Sequence, residues 1–171
     1  MKQPLLLLLL LPLNLLAQNT AKRDSFLNLA ATAPTDTARV WALMEVGKLY
    51  TQPQPDTALL YFDQALVLAE KTSFERGIAK CRINRSAPYN NLGRYRDCQV
   101  AIPICERLGM KKELVASYNN MGNAWDFLGN RWQAIEAFSK ALRAMEGVVL
   151  PPHFPLVVRN NMSSAKPGLL P

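Results

Sequence analysis

Few side chains in this sequence could do covalent chemistry. The thiols are Cys81, Cys98 and Cys105, and the single imidazole is His153. A thiolate nucleophile needs an electropositive or basic neighbour, and a structural zinc site needs four Cys or His ligands at close spacing. Cys98 and Cys105 stand seven residues apart, so on one helix they share a face, separated by about 10 Å of rise. Bridged Cα atoms lie within about 7 Å of each other, so these two do not pair on a helix. An odd number of cysteines also argues against a disulfide framework. The expectation is three buried core thiols. His153 follows Pro151-Pro152 in a linker and has no spaced Cys or carboxylate partner, so it is expected to be a solvated loop residue. No G-x-x-x-x-G-K-[ST] phosphate loop, no G-x-S-x-G elbow and no distinctive carboxylate pair occurs. The chain is therefore expected to be no enzyme, with no catalytic, cofactor-binding or metal-ligating residue.

Amides are what the sequence offers instead. Asn119-Asn120-Met121-Gly122-Asn123-Ala124 returns as Asn160-Asn161-Met162-Ser163-Ser164-Ala165. Asparagine in a helix is up to about 0.7 kcal/mol less favourable than alanine, so its repeated use needs a reason. An amide both donates and accepts. It can hold the backbone of a peptide ligand, or it can tie adjacent helices together. Both uses remain open at this point. Asn84-Arg85-Ser86 and Asn161-Met162-Ser163 also match the N-glycosylation pattern, which we take as chance because both fall on expected helices.

The elements that carry these residues repeat. Leu92-Gly93-Arg94-Tyr95 echoes Leu128-Gly129-Asn130-Arg131-Trp132. Ala58, Phe62 and Ala65 echo Ala134, Phe138 and Ala141, a helical stripe at steps of four and three. The pattern resembles the tetratricopeptide (TPR) family, whose units are pairs of antiparallel helices. One unit carries Tyr118, Met121, Gly122, Trp125, Leu128 and Gly129, then Ala134, Phe138 and Ala141. Gly122 and Ala134 let two helices approach, Trp125 and Phe138 fill the space so opened, and Gly129 ends the first helix. An earlier unit carries Leu43, Val46, Gly47 and Tyr50, then Ala58, Phe62 and Ala65, with Asp56 able to cap its second helix. Between them, Ser86, Tyr89, Leu92, Gly93 and Tyr95 fit, with Cys98 and Cys105 in the small slots and Ile102 between them. Thr72-x-x-Glu75 suggests a capping box at the start of this unit. Arg85 falls where the family has a buried apolar residue, and Pro88 and Pro103 fall inside helices, so this unit is expected to be bent.

The resemblance implies an all-α TPR-like helix-turn-helix solenoid of about three and a half repeats. Units are expected near 36–71, 73–109 and 111–147, with a truncated unit at 154–171 whose helix starts near Pro155. Residues 18–35 include one short capping helix over 24–34. In such arrays the first helices line a concave groove. The expected binding face is then Lys48, Asn90, Asn119, Asn123, Asp126 and Asn160, with Met44, Thr51, Ile83, Ala87 and Ser164 on the same surface. Some members grip a C-terminal carboxylate with lysines beside such asparagines, and here only Lys48 stands in a comparable place.

The chain has 171 residues, 49% of them hydrophobic and 19% charged, with a formal charge of +7. The basic residues are scattered and form no aromatic-interleaved stripe, which argues against nucleic acid and for a mildly acidic protein or peptide partner. The N-terminus has one lysine, then seven leucines from Leu5 to Leu11, then Ala17. This order marks residues 1–17 as a signal peptide and the mature chain as exported, periplasmic or extracytoplasmic. The apolar run is short of the roughly 20 residues that span a bilayer, so no stable membrane span is expected in the mature chain. The alternative is an uncleaved N-terminal anchor. The uncapped last repeat would offer a site for self-association. With Asp36-Thr37-Ala38-Arg39 and the Asn-Asn-Met-Gly-Asn segment, the array is similar to the extracytoplasmic region of Bacteroidetes-type sensor histidine kinases. That resemblance implies a sensory input domain, or a fragment of one, without kinase activity. The alternative is a free-standing scaffold for envelope assembly.

Overall fold

The computed structural model describes residues 20–86 and 91–165. The expected signal peptide, the segment with Ala87, Pro88, Tyr89 and Asn90, and the residues from Lys166 onward lie outside them. The regular secondary structure of the described residues is all helical, with no strand among them. Helix α1 covers 20–32, in the place of the short helix expected over 24–34. It is followed by α2 (Asp36–Tyr50), α3 (Pro55–Lys71), α4 (Glu75–Arg85), α5 (Asn91–Arg107), α6 (Lys111–Phe127), α7 (Arg131–Ala144) and α8 (Phe154–Ala165).

Local chemistry sets the helix ends. The Thr35 hydroxyl accepts the Ala38 N–H at 3.2 Å and starts α2. Pro55 opens α3, where its missing N–H costs nothing, and Asp56 sits in the first turn rather than at the cap. Three helices end alike. The N–H groups of Phe74, Met110 and Asn130 reach back to the carbonyls of Ala69, Cys105 and Trp125 at 2.8–2.9 Å. The residue before each has positive φ: Ser73 at 53°, Gly109 at 63° and Gly129 at 79°. This is the Schellman arrangement, and it is as expected at Gly129. The capping box expected at Thr72 does not form. Helix α3 runs through Lys71, so Thr72 closes it, and its hydroxyl donates backward to the Leu68 carbonyl at 2.8 Å.

Consecutive helices pack against one another from α2 to α8. In addition α2 touches α4, α4 touches α6, and α6 touches α8, whereas α3, α5 and α7 make no such contacts among the described residues. The array therefore curves, with the even-numbered helices on its inner side. The core repeats with it. A Cβ on Gly47 would lie 2.5 Å from Phe62 Cε1, and one on Gly122 would lie 2.5 Å from Phe138 Cε1. Each glycine admits an aromatic ring that is fully buried. Ala58, Ala65, Ala134 and Ala141 complete the small surfaces around the rings. Ser86 is the buried counterpart of these glycines in the middle unit. Its hydroxyl accepts a bond from the Asn120 amide on α6.

The middle unit solves the problem of Arg85 by pairing it. Asp97 on α5 is only 3% exposed. It receives Arg82 at 3.0 Å and Arg85 at 3.6 Å, both from α4. Arg82 also reaches Glu70 at 2.8 Å, and Arg85 reaches Asp63 at 3.0 Å, both on α3. Three helices are thus joined through one ionic cluster where neighbouring units use aromatic packing. Pro103 does lie inside α5. Among the described residues no helix is long and apolar enough to cross a membrane.

Candidate protein-binding face

The inner side of the curve carries a cleft of about 240 Å³ across α2, α4 and α6. Its walls are Lys48, Lys80, Ile83, Asn84, Lys112, Glu113 and Ala116. The three lysines occur at equal steps of 32 residues, whereas α2, α4 and α6 begin at Asp36, Glu75 and Lys111. The lysine step is shorter than the helix step, so the cations run diagonally, from the last turn of α2 through the middle of α4 to the first turn of α6.

Each cation is held differently. Lys48 pairs with Glu45 at 2.6 Å, three residues back on its own helix. Lys80 bridges to Glu113 on α6 at 3.0 Å and stands 5.0 Å over the Trp41 ring on α2. An ammonium in that position is attracted by the aromatic quadrupole. Lys112 is exposed and has no carboxylate partner among the described residues. The apolar stems of Lys80 and Lys112 with Ile83 and Ala116 make the floor, and Asn84 adds an amide that can both donate and accept. The cleft carries three ammonium groups against the Glu113 carboxylate, and its exposed, carboxylate-free cation is Lys112 at one end.

The asparagines expected on this face divide between the two uses open to them. Asn119 is 8% exposed, and its amide oxygen accepts from Asn161 on α8 at 3.1 Å. It ties α6 to α8. Asn120 ties α6 to Ser86 at the end of α4. Asn123 and Asp126 are half-buried and Asn160 is exposed, and none of them borders the lysine cleft. Met44 is a correction to the expected face. It is 1% exposed and lies in one core cluster with Phe62 of α3 and Cys81 of α4, because both neighbouring helices pack over that turn of α2. Lys48 and Ile83 are the expected residues that the cleft does contain. Lys80, Asn84, Lys112 and Glu113 were not expected there, although the regular spacing of the lysines was a usable signal.

The remaining reactive groups stay off this face. Cys81, Cys98 and Cys105 are all buried and unbridged. Burial pushes the thiols of Cys81 and Cys98 up to about 12 and that of Cys105 up to about 11. His153 is exposed in the linker before α8.

The fold is similar to a solved structure, the crystal structure of BtubC (BKLC) from P. vanneervenii. The TM-score is 0.70 at 14% sequence identity, covering 85% of this chain and 63% of that one. At that identity the likeness shows the fold alone, and the chain spans less than two thirds of that structure's length. No family model and no curated protein matches the sequence.

Proposed function

We propose that this chain is a non-catalytic protein-binding module of the tetratricopeptide kind, and that its inner cleft takes an acidic, extended peptide segment. The observation that carries the reading is the diagonal of Lys48, Lys80 and Lys112 across three successive inner helices. Facing charges of this kind raise the encounter rate and select partners by complementarity. Asn84 is placed to bond a peptide backbone beside them. The repeated Gly–Phe pairs and the Asn-Asn-Met-Gly-Asn segment support the tetratricopeptide assignment. The leucine-rich N-terminus and the same repeat segments support an exported setting, in which the module serves as a sensory input region for signalling.

The test is calorimetric titration of the chain with an acidic peptide and with its amide counterpart, in which Asp and Glu become Asn and Gln. The acidic peptide is expected to bind, and to bind more weakly as salt rises. Lys112→Glu should weaken it about tenfold or more without changing the melting temperature, because Lys112 is exposed. Equal affinity for both peptides, or an unchanged affinity in Lys112→Glu, would refute the assignment.

A further inference from the structure

Two of the three cleft cations already have a carboxylate of the chain itself. Lys48 has Glu45 on its own helix, with side chains 46% and 36% exposed, and an exposed pair of that kind is held weakly. Lys80 is more enclosed. Its ammonium lies 3.0 Å from the Glu113 carboxylate and 5.0 Å over the Trp41 ring, and the side chains of the ion pair are only 34% and 23% exposed. Solvent and salt screen such a pair less than one on the open surface. Trp41, Lys80 and Glu113 stand on α2, α4 and α6 in turn, so this one contact spans the three helices that wall the cleft.

Glu113 is the acid among the cleft walls, and it occupies the place that a partner's carboxylate would take on Lys80. An incoming carboxylate has two courses. It can crowd beside Glu113, where like charges a few Å apart repel, or it can take the position of Glu113. Exchange leaves Lys80 paired and still over the Trp41 ring. It also leaves Glu113 in a tolerable place, because Glu113 sits in the first turn of α6, where a negative charge is favoured by the helix dipole with or without Lys80. Lys112 has no such competitor among the described residues.

We propose that Glu113 sets the selectivity of the cleft: it occupies Lys80 in the free chain, and an acidic partner binds by displacing it, one carboxylate of the partner taking its place on Lys80 while another meets Lys112. The inference rests on the reading of this cleft as the seat of an acidic segment. The test is calorimetric titration of wild type, Glu113→Gln, Lys80→Met and the double variant with a short glutamate-rich peptide and with its glutamine counterpart. Glu113→Gln keeps the shape of the side chain and removes the competing charge. It is expected to bind the glutamate-rich peptide about tenfold more tightly than wild type, with no gain for the glutamine peptide. Lys80→Met should weaken binding about tenfold. In that background Glu113→Gln should gain about twofold at most, because no ammonium is left to free. All four chains are expected to melt close together, since both side chains reach solvent. A gain of the same size with and without Lys80 would make Glu113 a distant charge and overturn the exchange. Charge-selective binding by wild type that Glu113→Gln leaves unchanged or weakens would also overturn it, with the cleft still the seat of an acidic segment. Absence of charge-selective binding in wild type and Glu113→Gln alike would remove both.

Discussion

A methyl group at position 122 would meet the Phe138 ring, whose edge lies 2.5 Å from where that carbon would sit. The ring is fully buried among Ala134, Ala141 and Val158, so it has nowhere to retreat. Gly122→Ala would gain up to about 1 kcal/mol of helix propensity, yet overpacking of this kind costs about 1–3 kcal/mol. The variant is expected to be less stable than wild type in urea unfolding, and a more stable variant would mean that the ring can move. The thiols give a second expectation. With Cys81 and Cys98 raised to about 12 and Cys105 to about 11, almost no thiolate exists in the folded chain near neutral pH. Labelling by a thiol reagent should proceed only through opening of the fold, and so should accelerate in step with added urea. Rapid labelling of the native chain, titrating with a midpoint at about pH 8.5, would show an exposed, ordinary thiol. Both the Gly–Phe pairs and the buried thiols were legible in the sequence, because each falls in the small and aromatic slots of a pattern that recurs along the chain. Met44 was not. Its burial depends on residues of α3 and α4 packed over it, which spacing along one helix does not encode.

The helices themselves were largely legible, except where a residue's partners lie in the neighbouring helix. A threonine three residues before a glutamate has the form of an N-terminal cap, but Thr72 follows a helix as closely as it precedes one. The preceding helix takes it, with the left-handed Ser73 completing the turn. Arg85 looked out of place for the same kind of reason, since its partners Asp63 and Asp97 lie in other helices. The ionic cluster has a testable energetic consequence. Asp97→Ala would leave Arg82 with Glu70 and Arg85 with Asp63, both half-exposed, so it should cost less than the roughly 3–5 kcal/mol of a fully orphaned buried charge. A triple variant combining Arg82→Met, Arg85→Leu and Asp97→Leu should restore most of that stability, because burying an ion pair also costs desolvation. If Asp97→Ala unfolds at the same urea concentration as wild type, the cluster contributes nothing to joining α3, α4 and α5.

At the scale of the whole molecule, the curve of the array makes the cleft. It presses α2, α4 and α6 together, which aligns cations from three helices. The all-helical architecture was visible in the sequence as recurring small and aromatic residues. The lysine diagonal was visible only as a spacing without a surface, since Lys48, Lys80 and Lys112 occupy different turns of their helices and converge only when the stack slants. The asparagine repeat pointed toward the inner side, yet the structure spends Asn119 and Asn120 on holding helices together. The central claim is that the inner cleft is where a partner binds. It is tested most directly by following backbone amide resonances during titration with an acidic peptide. Shifts are expected to concentrate at Lys48, Lys80, Ile83, Asn84, Lys112 and Ala116, with the outer helices α5 and α7 unmoved. Shifts confined to the α5–α7 side, or the absence of any saturable shift, would contradict it.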